Sequence, residues 1–290
     1  AVKNAYYQVL LARKYVDAYQ SRVTEATERV RIAEEAYAAG RIARFDLLRN
    51  QTDLAEAQQQ LNNAQRDVET ALVDLKNTMG ISQSSQLTLT QDLALQESPP
   101  ALDQLQAAAL KQRPEVQAAR ARVRSAQANA TVAKSAYKPQ IYGTAMADLS
   151  ITTDNTMEGS NNAGYLVGVT ASLPILDGGL RRSSVNEAQA AVAQMQADER
   201  EVILNVSRSV ASACAQFGAA TKNVTLAQAA VTQAEEDYRT IRLRYEAGKA
   251  TNVEVLDALA SLTRARTMYA DALYQQNIAR QALTRAIGQK

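Results

Sequence analysis

Residues 210–245 read VASACAQFGAATKNVTLAQAAVTQAEEDYRTIRLRY. One position recurs every seven residues as Val210, Phe217, Val224, Val231, Tyr238 and Tyr245, and the position three further on as Ala213, Ala220, Ala227, Ala234 and Ile241. Two apolar positions at that spacing are the seam of a coiled coil. Subtracting 208 from these numbers gives Val2, Val9, Val16, Val23, Val30 and Tyr37, and then Ala5, Ala12, Tyr19, Ala26 and Ala33. The register holds without a gap: Gln8 matches Gln216, Glu28 matches Glu236, Ala39-Gly40 matches Ala247-Gly248, Leu54 matches Leu262, and Gly80 matches Gly288. A fixed offset of this length predicts an internal duplication.

Outward from the seam, each long helix meets a Gly. Gly40 and Gly248 stand where a helix end needs a left-handed residue, and a second helix follows each, Phe45–Met79 after the first with Leu47, Leu54, Leu61, Val68 and Leu75 at heptad spacing. The expectation is antiparallel helical hairpins. The first repeat, 1–98, is such a hairpin plus a polar connector, Ser82–Pro100, that ends in Pro99-Pro100. The second repeat, 99–290, is predicted to hold a short helix at Leu102–Lys111, a helix over 114–137 with Pro114 in its first turn, and long helices over 180–244 and 252–287. At 1.5 Å per residue, a helix over 180–244 is roughly 100 Å long. Such a hairpin must pack laterally against others. Residues 101–208 have no counterpart in the first repeat, so a segment of about that size, with any export signal, is expected to have been lost from the N-terminus.

Between the helices of the second repeat the period changes to two. Strands are predicted over 139–150 and 165–175, each with one apolar face and of a length suited to crossing a bilayer when tilted. Residues Ile151–Gly164, rich in Thr, Asn, Ser and Gly, read as the exposed loop between them. Alternation alone fits a soluble β-hairpin equally well.

Composition narrows the function. Of 290 residues only 5% are aromatic, Trp is absent, and Gly and Pro number 11 and 5, which suits long helices packed through small side chains. The net charge of +2 is spread without a basic stripe, so nucleic acid is not an expected partner. With no His, no Walker loop and no dinucleotide fingerprint, neither enzymatic activity nor a cofactor or metal is expected. Cys214, beside the seam, reads as a small buried hydrophobe.

The stretch Ser172-Leu173-Pro174-Ile175-Leu176-Asp177-Gly178-Gly179 leading into an Ala-rich helix, Arg113-Pro114-Glu115-Val116, Lys138-Pro139 and the two Tyr-x-x-Gly turns together resemble the TolC-like outer membrane efflux proteins along the whole chain. The resemblance implies a mainly α fold in which long antiparallel coiled-coil hairpins form an α-barrel and a β-hairpin contributes to a transmembrane β-barrel. It implies a homotrimer in outer-membrane lipid, with a twelve-stranded barrel and a tunnel reaching into the periplasm. A complete protomer of that family has four strands, whereas two are read here. A periplasmic adaptor of an inner-membrane transporter would dock at the helical tips and open a passive duct for drugs or secreted proteins.

On that resemblance, Glu254 and Asp257 fall on the acidic residues that narrow the tunnel mouth, and Asp46 and Tyr245 on the latch that closes it. The family's basic latch partner aligns with Ala250, and Lys249 is adjacent. Glu254 and Asp257, three apart, share a helix face and would form rings of negative charge in a three-fold assembly. Thr251-x-x-Glu254 also fits a capping box, which explains Glu254 without a gate. Gly40, Arg41, Arg44, Leu47, Leu48, Gly248, Lys249 and Leu256 surround the turns and are the candidates for adaptor contact, while Tyr37 and Tyr245 continue the seam and are expected to pack. The rival readings are a periplasmic adaptor, which needs flanking β-rich segments, and a purely structural coiled-coil scaffold, which gives no reason for two bilayer-length strands.

Overall fold

The computed structural model describes residues 1–96, 101–152 and 160–289. In chain order the elements are α1 (Val2–Ala38), α2 (Arg44–Met79), α3 (Leu102–Gln112), α4 (Pro114–Ser135), β1 (Gln140–Thr152), β2 (Ser160–Ser172), α5 (Leu180–Glu246) and α6 (Asn252–Ala286). Two compact units are present: Ala1–Ala109 with Arg208–Lys290, and Leu110–Ser207. Pro99-Pro100 and the centre of the strand-connecting loop, 153–159, lie outside the described residues.

In the first unit α1 packs against α2 and α6. The seam is buried at Val210, Phe217, Val224, Val231 and Tyr238, and in α1 at Val9, Ala12, Ala26, Val30 and Ala33. Heptad spacing returns a side chain to one face every two turns, so these positions face partner helices throughout. Val2, in the first turn of α1, is exposed. Leu10, Leu11, Leu93, Val224, Ala270 and Leu273 form one core cluster, and Tyr238, Val255, Ala258, Leu259 and Leu262 another.

The helix ends repeat one geometry. Gly40 N–H donates to Tyr37 O (2.9 Å) and Arg41 N–H to Ala36 O (2.8 Å); at the other turn Gly248 donates to Tyr245 O (2.9 Å) and Lys249 to Arg244 O (2.7 Å). This is the Schellman pattern, with φ of 68° at Gly40 and 71° at Gly248. Gly80 and Gly288 close α2 and α6 with the same pair of bonds.

The connector after α2 is less solvated than its polar composition suggests. Leu93 is buried in the core. Gln276, fully buried, accepts from Gln96 N–H (3.0 Å) and donates to Gln96 O (3.2 Å) and Thr221 Oγ1 (3.0 Å), while Asn277 donates to Ala94 O (3.1 Å). These bonds satisfy the extended backbone where no helix or strand does.

In the second unit α4 buries Val116, Ala119, Val123, Ala126 and Ala130, and Arg120 pairs with Glu199 of α5 (3.5 Å). The helix ends at Ser135 rather than at 137. Strands β1 and β2 pair antiparallel from Gln140↔Ser172 to Thr152↔Ser160. The second strand therefore starts before 165, because a backbone ladder accepts the polar Ser160, Asn161 and Asn162 opposite Thr152, Ile151 and Ser150. It stops at Ser172 rather than 175, before Pro174, which has no N–H to donate. Asp177 then accepts from Gly179 N–H and Arg181 N–H, both at 3.1 Å, where α5 begins. Helix α5 runs two residues beyond the expected end, to Glu246, and α6 ends at Ala286. Cys214 is half-buried rather than buried, since it lies beside the seam and not on it.

Candidate functional site at the helical turns

The turns α1–α2 and α5–α6 both belong to the first unit. Thr251 caps α6: its hydroxyl accepts from Glu254 N–H (3.3 Å), and the Glu254 carboxylate accepts from Thr251 N–H (2.6 Å) and from the Thr251 hydroxyl (2.8 Å). This reciprocal pair is the capping box that the spacing allowed. The backbone bond, and then the side-chain bond, hold the Glu254 carboxyl below its ordinary range. Asp257 is exposed and makes no hydrogen bond or ion pair among the described residues. The two acids share a face of α6 but differ in that one is already engaged.

Thr251→Ala removes the cap. It is expected to speed amide exchange in the first turn of α6 roughly fivefold. The difference from wild type is present above the unfolded carboxylate range and shrinks as pH falls through the lowered folded value of Glu254. Exchange rates read by mass spectrometry at two pH values check both statements.

Tyr245 packs against the Tyr238–Leu262 cluster, and burial first, then the Asp46 charge, raise its hydroxyl pKa. Asp46 and Tyr245 are thus within electrostatic range, with no hydrogen bond between the two. Tyr37 is 43% exposed, contrary to the expectation that it packs as Tyr245 does. Around the turns Gly40, Arg41, Arg44, Leu48, Gly248 and Lys249 are exposed, and Leu47 and Leu256 are half-buried.

A polar layer above the turns is not legible from the seam. Arg22 pairs with Asp53 (2.9 Å) and donates to Gln60 (2.8 Å), Arg29 pairs with the other Asp53 oxygen, and Tyr238 donates to Glu25 (2.8 Å). Buried Asn50 and Asn252 lie beside this layer and, with Arg29, Tyr238 and Tyr245, line a cavity of about 150 Å³. The signal is present in the sequence as a heptad row, Tyr15, Arg22 and Arg29, facing another, Asp46, Asp53 and Gln60.

The sequence profile of the family described as outer membrane efflux protein matches residues 1–81 and 105–289. The chain belongs to the outer membrane efflux protein family. Its place is with that family in the outer membrane. It is 26% identical to the outer membrane efflux protein BepC of Brucella suis, over 99% of this chain and 63% of BepC. It is also 26% identical to the cobalt-zinc-cadmium resistance protein CzcC of Cupriavidus metallidurans, over 99% of this chain and 66% of CzcC. The chain thus spans less than two thirds of either relative. Among solved structures, the outer membrane protein VceC of Vibrio cholerae shares the fold, with a TM-score of 0.71 at 20% identity over 99% of this chain and 69% of VceC. As in this efflux family's fold, the helices dominate and the sheet is small. No helix among the described residues is long and apolar enough to cross a membrane.

Proposed function

We propose that the chain is part of a passive outer-membrane exit duct for efflux of drugs or secretion of proteins. The observation that carries this reading is the distribution of side chains across the paired strands. One face presents Ile141, Gly143, Ala145 and Ala147 opposite Ala171, Val169, Val167 and Tyr165. The other mixes Gln140, Thr144, Asp148, Thr170 and Ser172 with Tyr142, Met146 and Leu166. Val167 and Val169 are 78% and 77% exposed. A strand pair apolar on one side from Ile141 to Ala147 and from Tyr165 to Ala171, with the polar residues of that span on the other side, suits a barrel wall between lipid and an aqueous lumen.

The barrel is completed by other copies in a homotrimer, and the repeats 1–98 and 99–290 arise by duplication, a reading supported by matched Schellman bonds at both turns and both helix ends. Leu204 and Leu226, exposed on α5, are apolar positions that lateral packing would cover. The two turns form the periplasmic tip. Asp46 and Tyr245 hold it shut, Asp257 and Glu254 line its mouth, and the periplasmic adaptor of an inner-membrane transporter docks on the residues around Gly40 and Gly248. Transport energy comes from that transporter.

Single-channel recording in a planar bilayer tests the duct. Stepwise, cation-preferring current is expected, with the cation preference reduced in Asp257→Ala, whose carboxylate is free to act on passing ions. Unchanged selectivity would remove Asp257 from the mouth. Absence of steps from inserted protein, with Tyr245→Phe and Asp46→Ala combined to loosen the tip, would contradict the duct.

A further inference from the structure

We propose that the junction between the β-hairpin and its helices, 134–140 with 173–182, binds anionic phospholipid headgroups. This site rests on the membrane reading of the hairpin and adds a lipid class to it. Pairing ends at Gln140↔Ser172, so the residues just outside that pair lie where a bilayer-crossing hairpin leaves the bilayer. Ile175 and Leu176 are 88% and 93% exposed in the short segment between β2 and α5. Two aliphatic side chains held in water beside a membrane strand are covered, with no change of fold, by the interfacial region of the bilayer. Tyr137 and Tyr142, half-exposed at the same end, have the amphipathic rings that suit the headgroup level.

Charge selects the headgroup. Lys134, Lys138 and Arg182 are exposed and have no ion pair among the described residues. The junction's acid, Asp177, is occupied: it accepts from the Gly179 and Arg181 backbone and pairs with Arg181 Nε at 2.5 Å. Arg181 in turn lies over the Tyr137 ring at 5.0 Å and donates towards Ala136 O at 3.5 Å. The Asp177–Arg181 pair is neutral as a unit, which leaves three cations unbalanced. The next acids along the described chain are Asp148, at the far half of β1, and Glu187, further along α5. The same three cations recur at one level in each copy of the trimer, and an anionic phospholipid neutralises them and supplies hydrocarbon to Ile175 and Leu176.

The test uses nanodiscs of equal parts phosphatidylglycerol and phosphatidylcholine, with discs of phosphatidylcholine alone beside them. Lipids retained after partial delipidation are counted by native mass spectrometry. Phosphatidylglycerol is expected to outnumber phosphatidylcholine roughly threefold among the retained lipids, against one to one in the disc. The enrichment is lost in Lys134→Gln/Lys138→Gln/Arg182→Gln, and kept in Lys134→Arg/Lys138→Arg. Retention at the bulk ratio in wild type, or enrichment unchanged in the glutamine variant, would overturn the lipid site while leaving the membrane reading intact. Failure to insert into either disc would overturn the membrane reading, and the site with it.

Discussion

Asp53→Ala is expected to destabilise the first unit by roughly 3–5 kcal/mol, the range for removing one partner of a buried ion pair. Asp53 accepts from Arg22 through one oxygen and from Arg29 through the other, and the three side chains are 14%, 11% and 9% exposed. Without it two guanidinium groups remain between α1 and α2. Arg22 keeps its bond to Gln60, but Arg22 Nε and Arg29 Nε and Nη1 already have no partner. The attraction of this triad offsets its desolvation rather than exceeding it, so replacing all three by Met or Leu is expected to recover most of the loss. Denaturant midpoints followed by circular dichroism measure both variants. A change below about 1 kcal/mol for Asp53→Ala would show the triad to be solvated like a surface pair.

Phe217→Ala is expected to cost a similar roughly 3–5 kcal/mol by a different route. Phe217 is 1% exposed and sits in the α5 seam, where its offset counterpart Val9 is 0% exposed. Truncation loses the transfer free energy of the ring and leaves a cavity that two long helices cannot close by a local shift. Leu226, also apolar and on the same helix but 68% exposed, is the control: in the unassembled protomer, where no neighbouring hairpin covers it, Leu226→Ala is expected to stay within about 0.5 kcal/mol. Equal losses at both positions would mean that heptad position does not govern burial along α5.

That contrast shows what is legible in the sequence. Phe217 and Val9 are readable because helix geometry alone returns every seventh side chain to the same partner. The turns at Gly40 and Gly248 are readable because a positive φ favours Gly. Tyr37 and Tyr245 occupy the same heptad position, yet only Tyr245 packs against a buried cluster, one that α5 and α6 build together from Tyr238, Val255, Ala258, Leu259 and Leu262. The Arg22–Asp53 pair joins residues 31 apart, and finding it requires the antiparallel register of α1 on α2, which periodicity does not give. The ends of β2, at Ser160 and Ser172, differ from expectation because a ladder depends on backbone groups, while alternation reports side chains. Glu254 is readable in two ways, and the structure shows the capping bond; Asp257 has no such bond to explain it.

Everything proposed for transport requires β1 and β2 to be membrane wall. Spin labels placed singly at Val167, Val169, Thr144 and Thr170, in a Cys214→Ala background and in lipid vesicles, test this directly. Register puts the two valines on the apolar face and the two threonines on the other. The valine sites are expected to be relaxed by oxygen, which concentrates in hydrocarbon, and the threonine sites by a water-soluble nickel chelate. Equal access of the chelate to all four sites would contradict the assignment, because neither face would then lie against lipid.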